Sequence, residues 1–300
     1  MKRNIKVTIL IPALNAELNI KALIADVLSQ TEQGFKLNKL VIVSDGSTDR
    51  TEEVVLSFKD RRIHLIKNKK QLGKIKVLNN FFKTFNGECL VQLDDDIRLS
   101  DKNVIKYLVK HISLGSDLIC GYHEPIKPRT IVGKLAHFGV GIWEEGKNIL
   151  ANKSERYWCT GQIRAFSDRF IKSFKMPDNI YVSEDIYSFY YAKREKFKVQ
   201  LEPRSLVLFQ LPSNYTDYVK QMRRLIKTKP NMSKLFSPEL IKKYETMTPF
   251  IKIKALTRMA IRKPLMALGY IALQTIPRIK ALSYSEPRVW DIAKSSKVLN

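Results

Sequence analysis

Apolar and polar positions in the first 120 residues follow two alternating periods. Short apolar runs, typical of buried strands, are separated by stretches in which apolar residues recur every three or four positions, as on one helix face. This alternation predicts an α/β fold with a mostly parallel, Rossmann-like sheet flanked by helices. The predicted strands are Val7–Ile11, Leu40–Val43, Ile63–Ile66, Leu90–Leu93 and Asp117–Cys120, and the predicted helices are Glu17–Gln30, Lys74–Phe85 and Lys102–His111.

The pattern becomes less regular over residues 121–160, where prolines and glycines interrupt it, and we predict a long excursion from the sheet there. Regular spacing then returns. It predicts a helix near Phe166–Phe174, a helix over Val182–Lys196, a strand pair within Lys198–Phe209 and a basic helix over Tyr215–Thr228, which Pro230 ends.

The end of the chain has a different composition. From Thr216 to Asn300 there are 18 basic and 5 acidic side chains. Within this stretch Leu265–Ile276 is apolar but shorter than the roughly 20 residues that cross a bilayer. Two interpretations stay open: a helix at the headgroup level of a membrane, or a helix packed on the domain with a solvated basic face. We favour the membrane surface, because basic and apolar features coincide.

The predicted organisation is therefore a domain over residues 1–230, divided near residue 120, followed by a basic amphipathic helical tail over residues 231–300. Over the whole chain, 53 Lys plus Arg face 29 Asp plus Glu, a formal net charge of +24. Such an excess favours an anionic partner, whether a nucleic acid, a phospholipid surface or a phosphorylated substrate. A non-catalytic nucleic-acid-binding protein is disfavoured, because no RNP, zinc-finger or KH-type pattern accompanies the charge.

The cysteines and histidines argue against two further kinds of site. Cys89, Cys120 and Cys159 are widely spaced and odd in number, which argues against a disulfide framework and fits a reducing cytosol. The four histidines are scattered and no CxxC pair is present, so we do not expect a zinc site.

Three consecutive carboxylates, Asp94-Asp95-Asp96, directly follow a predicted strand. In α/β sheets ligands bind beyond the carboxyl ends of the strands. Adjacent carboxylates repel one another, and a hard cation such as Mg²⁺ or Mn²⁺ compensates this while leaving positions for substrate phosphates. In an extended segment Asp94 and Asp96 point to one side and Asp95 to the other. The alternative is a solvated acidic turn or a cap for the helix at Asp101.

Two further motifs also follow predicted strands. In Val43-Ser44-Asp45-Gly46-Ser47-Thr48-Asp49, Asp45 can accept hydrogen bonds from a ribose or a base N–H, and Gly46 permits close approach of a ligand. The same segment also suits a strand-to-helix turn with an N-cap. In Gly73-Lys74 a lysine at a helix N-terminus provides charge for a phosphate.

Four segments together resemble glycosyltransferase family 2 in order and spacing across residues 5–100: Ile11-Pro12-Ala13-Leu14-Asn15-Ala16-Glu17, Ser44-Asp45-Gly46-Ser47-Thr48-Asp49, Leu72-Gly73-Lys74 through Leu78-Asn79, and Leu93-Asp94-Asp95-Asp96. The resemblance implies a GT-A fold and a nucleotide-diphosphate sugar donor, for which we expect UDP as the nucleotide. It places a set of residues around this donor: Pro12, Asn15 and Glu17 along the nucleotide pocket, Asp45 at the base, Lys74 near the donor, Asp94 at the ribose or sugar, and Asp96 on the metal. We count Asp94 as a second metal ligand and Asp95 as part of the donor site, the one of the three that best tolerates change.

The resemblance continues on the acceptor side. Ser183-Glu184-Asp185 looks like the family's Glu-Asp motif, which implies that Glu184 lies at the acceptor and that Asp185 is the general base. The alternative is an N-cap at Ser183 with Glu184 at the positive end of the helix dipole. Thr160, Gly161 and Gln162, within Trp158–Gln162, resemble the segment that lines the acceptor pocket.

A last motif, Gln221-Met222-Arg223-Arg224-Leu225, resembles the Gln-x-x-Arg-Trp signature of polysaccharide synthases, with Leu225 in place of the tryptophan. The substitution weakens any expectation of stacking against a growing sugar chain. The resemblance assigns Gln221 to the acceptor and Arg224 to the donor diphosphate. A solvated basic helix face competes with this interpretation.

These motifs predict a metal-dependent, inverting glycosyltransferase that acts on a hydroxyl acceptor, a sugar or lipid-linked compound, in cell-envelope glycan or glycolipid synthesis. The alternative within the class is a polyprenyl-phosphate sugar transferase. Its phosphate acceptor is already ionised and needs no base, so Asp185 favours the hydroxyl acceptor. We expect a cytoplasmic protein, peripheral on the cytoplasmic face of the membrane, with no specific nucleic-acid partner.

Overall fold

The computed structural model describes residues 4–150, 159–177, 182–245, 247–282, 294–297 and 299, with the backbone alone at 224, 227–230, 276–282 and 294. One eight-stranded sheet runs through it in the order β3-β2-β1-β4-β7-β6-β8-β5. The strands are β1 Ile5–Ala13, β2 Phe35–Asp45, β3 Ile63–Asn68, β4 Cys89–Leu93, β5 Ile97–Leu99, β6 Leu118–Pro125, β7 Ile163–Ser167 and β8 Val199–Phe209.

Helices cover both faces of this sheet. They are α1 Ile20–Leu28, α2 Thr51–Leu56, α3 Lys74–Thr84, α4 Val104–Ser113, α5 Ile131–Ile149, α6 Asp168–Ser173, α7 Glu184–Arg194, α8 Tyr215–Met232, α9 Pro238–Tyr244, α10 Pro249–Arg262 and α11 Pro264–Leu282, and a 3₁₀ turn spans Lys294–Lys297. The predicted mixed α/β architecture with a large central sheet is therefore confirmed.

Side-chain alternation along β1 shows why the sheet has two covered faces. Ile9 and Ile11 lie in the core that includes α1 and α4, whereas Leu10 lies in the core that includes α3 and α7. Successive strand residues point to opposite faces, and both faces of this strand are buried. The strands β3, β2, β1 and β4 are all parallel.

The sheet changes direction after β4. Strand β7 pairs antiparallel with β4 and with β6, β6 pairs parallel with β8, and β8 pairs antiparallel with β5. We predicted a helix from Phe166, but that residue lies in β7 and the helix begins only at Asp168. The predicted strand pair within Lys198–Phe209 is also wrong: β8 is one strand with a register irregularity beside β6.

Two predictions about helices were wrong as well. The irregular excursion over residues 121–160 contains α5, a helix of 19 residues, and α8 continues through Pro230 to Met232. Helix α5 packs closely against α10 and α11: a Cβ on Gly139 would lie 2.5 Å from the ring of Tyr270. The glycines that disfavour a helix in isolation are therefore the residues that let its neighbours approach.

The expectation of unpaired cysteines was also wrong. Cys120 and Cys159 form a disulfide, because Cys120 near the start of β6 and Cys159 in the segment before β7 lie side by side, with their Cα atoms 5.0 Å apart. Cys89 is free and buried in β4. A pairing of this kind depends on strand order, which cysteine spacing does not show.

The two tail helices α10 and α11 pack partly on the rest of the protein. Ile251, Ala255, Ala267 and Leu273 are buried against the rest of the protein. The same two helices, α10 and α11, expose other large apolar side chains. Among the residues that the structure describes, no helix has the length and apolarity needed to cross a bilayer.

Candidate active site

The acidic triplet lies where β4 ends and β7 begins. Because β7 runs antiparallel to β4, the residues that precede β7 lie at the same edge of the sheet as the residues that follow β4. The backbone N–H of Asp94 donates a hydrogen bond to the carbonyl oxygen of Gln162 at 3.0 Å. A predicted donor residue and a predicted acceptor residue, 68 positions apart in the sequence, are thus joined directly.

The three carboxylates of the triplet have different partners. Lys74 Nζ lies 2.5 Å from Asp94 Oδ1, and Lys297 Nζ lies 2.7 Å from Asp95 Oδ2. Asp96 makes no hydrogen bond or ion pair with any other residue in the described part of the chain. Burial, together with the charges of Asp95 and Asp94, raises the pKa of Asp96 to about 7. Asp96 is therefore the carboxylate of the three that most lacks a compensating cation.

Lys74 links the triplet to α7. Its ammonium contacts the carboxylate of Glu184 as well as that of Asp94, and Arg164 Nη2 lies 3.8 Å from the same Glu184 oxygen. Burial opposes the charged form of Glu184, but Lys74 and Arg164 outweigh it and lower the pKa of this carboxyl. Burial likewise opposes the charge on Lys74, but Asp94 and Glu184 raise its pKa above the ordinary value. This cluster contains two cations and two anions. It favours the charged forms of Lys74 and Glu184, whereas burial, opposed by Lys74 and assisted by Glu184 and Asp95, raises the pKa of Asp94.

Asp185 follows Glu184 at the start of α7, half-buried, and accepts a hydrogen bond from Ser183 Oγ. The alternative of an N-cap at Ser183 is not supported, because the Ser183 side chain accepts no hydrogen bond from a backbone N–H at the start of α7. The Gly161 backbone lies against both acids, since a Cβ placed there would lie 3.2 Å from Glu184 Oε1 and 3.7 Å from the Asp185 carboxyl carbon. Gly161 thereby allows the segment before β7 to approach the N-terminus of α7.

Thr160 and Gln162 are oriented by a histidine. His123 Nδ1, on β6, lies 2.8 Å from both Thr160 Oγ1 and Gln162 Oε1. Burial lowers the pKa of His123, with Gln162 acting in the opposite direction and Lys147 adding to the effect. The segment predicted to line the acceptor pocket is thus fixed to the end of β6 by side-chain hydrogen bonds.

On the donor side, the loop after β1 is tied to the loop after β2. Asn15 Oδ1 accepts from the Thr48 backbone N–H at 2.8 Å, and Glu17 Oε2 accepts from the Arg50 backbone N–H at 3.1 Å. Asn15 has a φ of 51°, in the left-handed region that asparagine tolerates. Pro12 lies half-buried near the end of β1, next to this loop.

Asp45 organises a third loop. Its carboxylate accepts hydrogen bonds from the backbone N–H of Leu72 at 2.9 Å and of Gly73 at 2.8 Å, and from Asn68 Nδ2 at 2.9 Å. The side chain is buried, with 4% of its surface exposed. From the sequence we expected Asp45 to contact the base of the nucleotide. In the structure its oxygens also position the segment that leads to Lys74.

Asp95 is engaged more fully than the sequence suggested. Besides its ion pair with Lys297, Asp95 Oδ2 accepts from the Leu14 backbone N–H at 2.9 Å, and 6% of the residue is exposed. A buried carboxylate with these contacts is a poor candidate for tolerating change. We therefore expect its substitution to cost stability.

The Gln-x-x-Arg motif is not joined to this cluster by any described contact. Gln221 lies half-buried on α8, and its side chain makes no hydrogen bond with another described residue. The backbone of Arg224 lies in the same helix, but its side chain is outside the described part of the structure, as is Trp158.

Four residues of the site were missed at the sequence level: Gln92, His123, Arg164 and Lys297. Gln92 and Arg164 are cross-strand neighbours and are joined by a hydrogen bond between their side chains. Gln92 is the lone polar residue of β4, and Arg164 is the one charged residue of β7; that is the signal that could have identified them. His123 and Lys297 carried no comparable local signal.

A divalent cation fits one part of this arrangement. Mg²⁺ and Mn²⁺ are usually held by one or two carboxylates together with substrate phosphates. Asp96 is a partly buried carboxylate with a raised pKa and no cationic contact in the described chain, so its oxygens suit this role. No group of three or more His, Cys, Asp and Glu side chains among the described residues is arranged to hold a metal alone.

Comparison with known proteins places these features in a family. The family model described as "Glycosyl transferase family 2" matches residues 8–187. The chain is 35% identical over 133 residues to the UDP-Glc:alpha-D-GlcNAc-diphosphoundecaprenol beta-1,3-glucosyltransferase WfgD of Escherichia coli, covering 43% of this chain and 50% of that protein. It is 28% identical over 158 residues to the dolichyl-phosphate beta-glucosyltransferase ALG5D of Trichomonas vaginalis, covering 47% of this chain and 48% of that protein. The chain thus spans about half the length of these curated relatives.

A solved structure extends the comparison to the fold. The mannosyltransferase PcManGT from Pyrobaculum calidifontis, in complex with GDP-Man and Mn²⁺, superposes with a TM-score of 0.60 at 16% identity, covering 95% of this chain and 78% of that one. The GT-A fold expected from the sequence is confirmed by this likeness.

Proposed function

The chain belongs to glycosyl transferase family 2, and from that premise we propose that it is an inverting glycosyltransferase, which moves a sugar from a nucleotide-diphosphate donor to a hydroxyl acceptor. One observation carries the proposal. The ion pairs of Lys74 with Asp94 and Glu184 bring the acidic triplet of the donor half next to Asp185 on α7. A donor site and a candidate base are thereby adjacent.

The proposed reaction is a single in-line displacement. The acceptor hydroxyl oxygen attacks the anomeric carbon, the bond from that carbon to the diphosphate oxygen breaks, and the hydroxyl proton passes to the Asp185 carboxylate. Attack from the face opposite the leaving group inverts the anomeric centre. Ser183, which donates to Asp185 Oδ1, orients the carboxylate.

The leaving diphosphate needs positive charge. Lys74 provides a fixed ammonium at the N-terminus of α3, where the helix dipole also favours an anion. A bound Mg²⁺ or Mn²⁺, held by Asp96 with Asp94 beside it, would supply Lewis-acid stabilisation of the same diphosphate. The loops that carry Asn15, Glu17 and Asp45 form the pocket for the nucleoside of the donor. We propose that this nucleoside is uridine, so that the leaving group is UDP.

The acceptor is proposed to be a sugar on a lipid carrier. The relative from E. coli is named for transfer to a GlcNAc-diphosphoundecaprenol, and that name motivates the choice of acceptor class. The acceptor side of this protein is the region of His123, Thr160 and Gln162, and it adjoins α5 through contact of the Tyr122 hydroxyl with Glu144.

Helices α10 and α11, which pack on α5, offer a surface for the lipid side. Their exposed apolar residues repeat on one face of each helix: Phe250 (72% exposed), Ile253 (64%) and Ile261 (78%) on α10, and Leu265 (82%) and Leu268 (66%) on α11. Exposed cations border them at Lys252, Lys254, Arg258, Arg262 and Lys263. Apolar side chains beside lysines and arginines match the acyl boundary and anionic headgroups of a bilayer. We therefore propose peripheral binding to the cytoplasmic face of a membrane.

The activity is tested by donor hydrolysis and transfer. A screen of UDP- and GDP-sugars with Mn²⁺ should show turnover of one donor, and Asp185→Asn should lower that turnover by about two to four decades while nucleotide affinity is retained. Normal turnover in the Asp185→Asn enzyme would reject the base assignment and favour a phosphate acceptor, as in a polyprenyl-phosphate sugar transferase. The absence of turnover and of nucleotide binding in the unchanged protein would reject the function itself.

The membrane surface is tested separately by sedimentation with vesicles. The unchanged protein should bind phosphatidylcholine vesicles that contain phosphatidylglycerol, and Phe250→Glu/Leu265→Glu should weaken binding by about tenfold or more, because each apolar side chain contributes about 1.5–3 kcal/mol when buried. Leu114→Glu is the matched control, since Leu114 is 56% exposed at the end of α4 and outside this surface. Equal loss in both variants, or no binding by the unchanged protein, would reject the surface.

A further inference from the structure

The end of the chain delivers a lysine to the donor side of the site. Lys297 belongs to the 3₁₀ turn Lys294–Lys297, and its Nζ lies 2.9 and 2.7 Å from the two carboxylate oxygens of Asp95 and 2.8 Å from the carbonyl oxygen of Leu14. The side chain is 17% exposed. The largely buried ammonium thus makes three short contacts, two with the Asp95 carboxylate and one with the backbone of Leu14.

The backbone around Lys297 is anchored on both sides. The Asn19 side chain, buried at the start of α1, donates to the Lys297 carbonyl oxygen and accepts from the Leu299 N–H at 3.3 Å. Two residues earlier, the Ser295 N–H donates to Asp217 on α8 at 2.8 Å. Because the Asn19 amide both donates to and accepts from this backbone segment, it fixes the direction of the segment as well as its position.

Leu14 is the point at which this anchoring reaches the nucleotide pocket. Its N–H donates to Asp95 Oδ2 and its carbonyl oxygen accepts from Lys297, so both of its backbone polar groups are held by one ion pair. The next residue, Asn15, bonds the Thr48 backbone. The Asp95–Lys297 pair thereby sets the conformation of the loop after β1, which contacts the loop after β2.

The charges of the triplet show a further consequence. Lys74 compensates Asp94 and Lys297 compensates Asp95, whereas Asp96 has no ammonium or guanidinium contact in the described chain. Without Lys297, the buried carboxylate of Asp95 and the partly buried carboxylate of Asp96 would both lack a cationic contact in the described chain, and one uncompensated buried charge is already costly. The lysine thus leaves a single carboxylate that needs a cation.

We propose that Lys297 is a positioning residue for donor binding: by neutralising Asp95 and holding Leu14, it fixes the nucleotide loop and reserves Asp96 for the divalent cation of the donor complex. This inference rests on the function proposed above. It assigns to Lys297 a role in the donor site, although this residue is 202 positions away in the sequence from Asp95, whose carboxylate it contacts.

The test measures UDP binding by calorimetry, with and without Mn²⁺, in the full chain. Lys297→Met, which keeps the length of the side chain but removes the charge, should weaken UDP binding by about tenfold or more. It should raise the donor KM by a similar factor and leave the acceptor KM unchanged, which a general loss of folding would not do. Lys242→Met is the matched control, because Lys242 is exposed on α9, and it should bind UDP normally.

A second variant separates charge compensation from other effects. In Asp95→Asn/Lys297→Met the pair is neutral, and the asparagine carbonyl can still accept from the Leu14 N–H, so UDP affinity should recover most of what Lys297→Met loses. Normal UDP affinity of Lys297→Met would overturn the inference, as would a double variant no better than the single one. Failure of the unchanged protein to bind UDP would instead reject the proposed function, so the two failures are distinguishable.

Discussion

Glu184→Gln tests the ion-pair cluster that joins the two halves of the site. The Glu184 carboxylate contacts the Lys74 ammonium and lies 3.8 Å from Arg164 Nη2, with 3% of the side chain exposed. Glutamine keeps the length and shape of the side chain but removes its negative charge. Lys74 would then keep its ion pair with Asp94, whereas Arg164 would lose its ion pair with Glu184.

The size of the effect follows from what stays in place. Removing one partner of a buried ion pair costs about 3–5 kcal/mol when the other charge is left alone. Here Asp94 Oδ1 remains 2.5 Å from Lys74 Nζ, and the glutamine oxygen can still accept a hydrogen bond. We therefore expect Glu184→Gln to lower the free energy of unfolding by about 2–3 kcal/mol, which places it among the more damaging single substitutions.

Urea denaturation measures this difference. For a domain of this size, with a slope of about 2–3 kcal/mol per M, the midpoint should fall by about 1 M. The buffer should contain neither nucleotide nor divalent cation, because either would stabilise the folded state by binding to it.

Glu195→Gln is the matched control at the other end of the same helix. Glu195 lies 2.8 Å from Arg194 in an ion pair whose side chains are 44% and 45% exposed. An exposed pair contributes about 0–1 kcal/mol, so its loss should hardly move the midpoint. If the two substitutions lowered the midpoint equally, the reasoning about the buried cluster would be refuted.

Three other changes have expected outcomes. Asp96→Ala should abolish the roughly tenfold or larger gain in UDP affinity that Mn²⁺ gives the unchanged protein, measured by calorimetry, and a retained gain would exclude Asp96 as a ligand. Gly46→Ala should lower the free energy of unfolding by about 2 kcal/mol or more. Gly46 has a φ of 74°, and the new Cβ would lie 2.6 Å from a backbone nitrogen of the loop after β3. An unchanged thermal midpoint of unfolding would contradict this expectation. Arg204, with His111, lowers the pKa of Glu202 to about 2 against burial, from an ordinary value of 4.5. The stabilisation by Glu202 is thus complete above pH 4.5 and lost as the pH falls toward 2, so the urea midpoints of Glu202→Gln and the unchanged protein should differ at pH 7 and converge on acidification.

The parallel half of the fold could be predicted because each of its strands is a continuous apolar run. Strand β4, for example, is buried at all five positions and ends at the acidic triplet. Strand β7 was missed because Arg164, which is buried, makes the segment resemble the start of an amphipathic helix. Its polarity is explained by Gln92 on the neighbouring strand and by the Glu184 carbonyl and the Ser188 hydroxyl on α7, all distant in sequence.

The residue types of the site could also be predicted, but not all of their contacts. Lys74, Asp94, Glu184 and Asp185 stand out because each follows a strand or begins a helix. No periodicity or motif spacing in the sequence predicts the contact between Lys297 and Asp95, since this contact depends on tertiary packing. Local patterns indicate which residues a strand end presents, whereas the partner of a buried charge is decided by tertiary packing.

The reversal of direction between β4 and β7 has a consequence for how such a site can diverge. The donor loops leave strands β1, β2 and β4, while the acceptor segment enters β7 from the chain that follows α5. On the proposed assignment of the site, substitutions and insertions between β6 and β7 would reshape the acceptor pocket without altering any strand that leads into a donor loop. A lineage that keeps this sheet can exchange one acceptor for another while its donor chemistry is inherited intact.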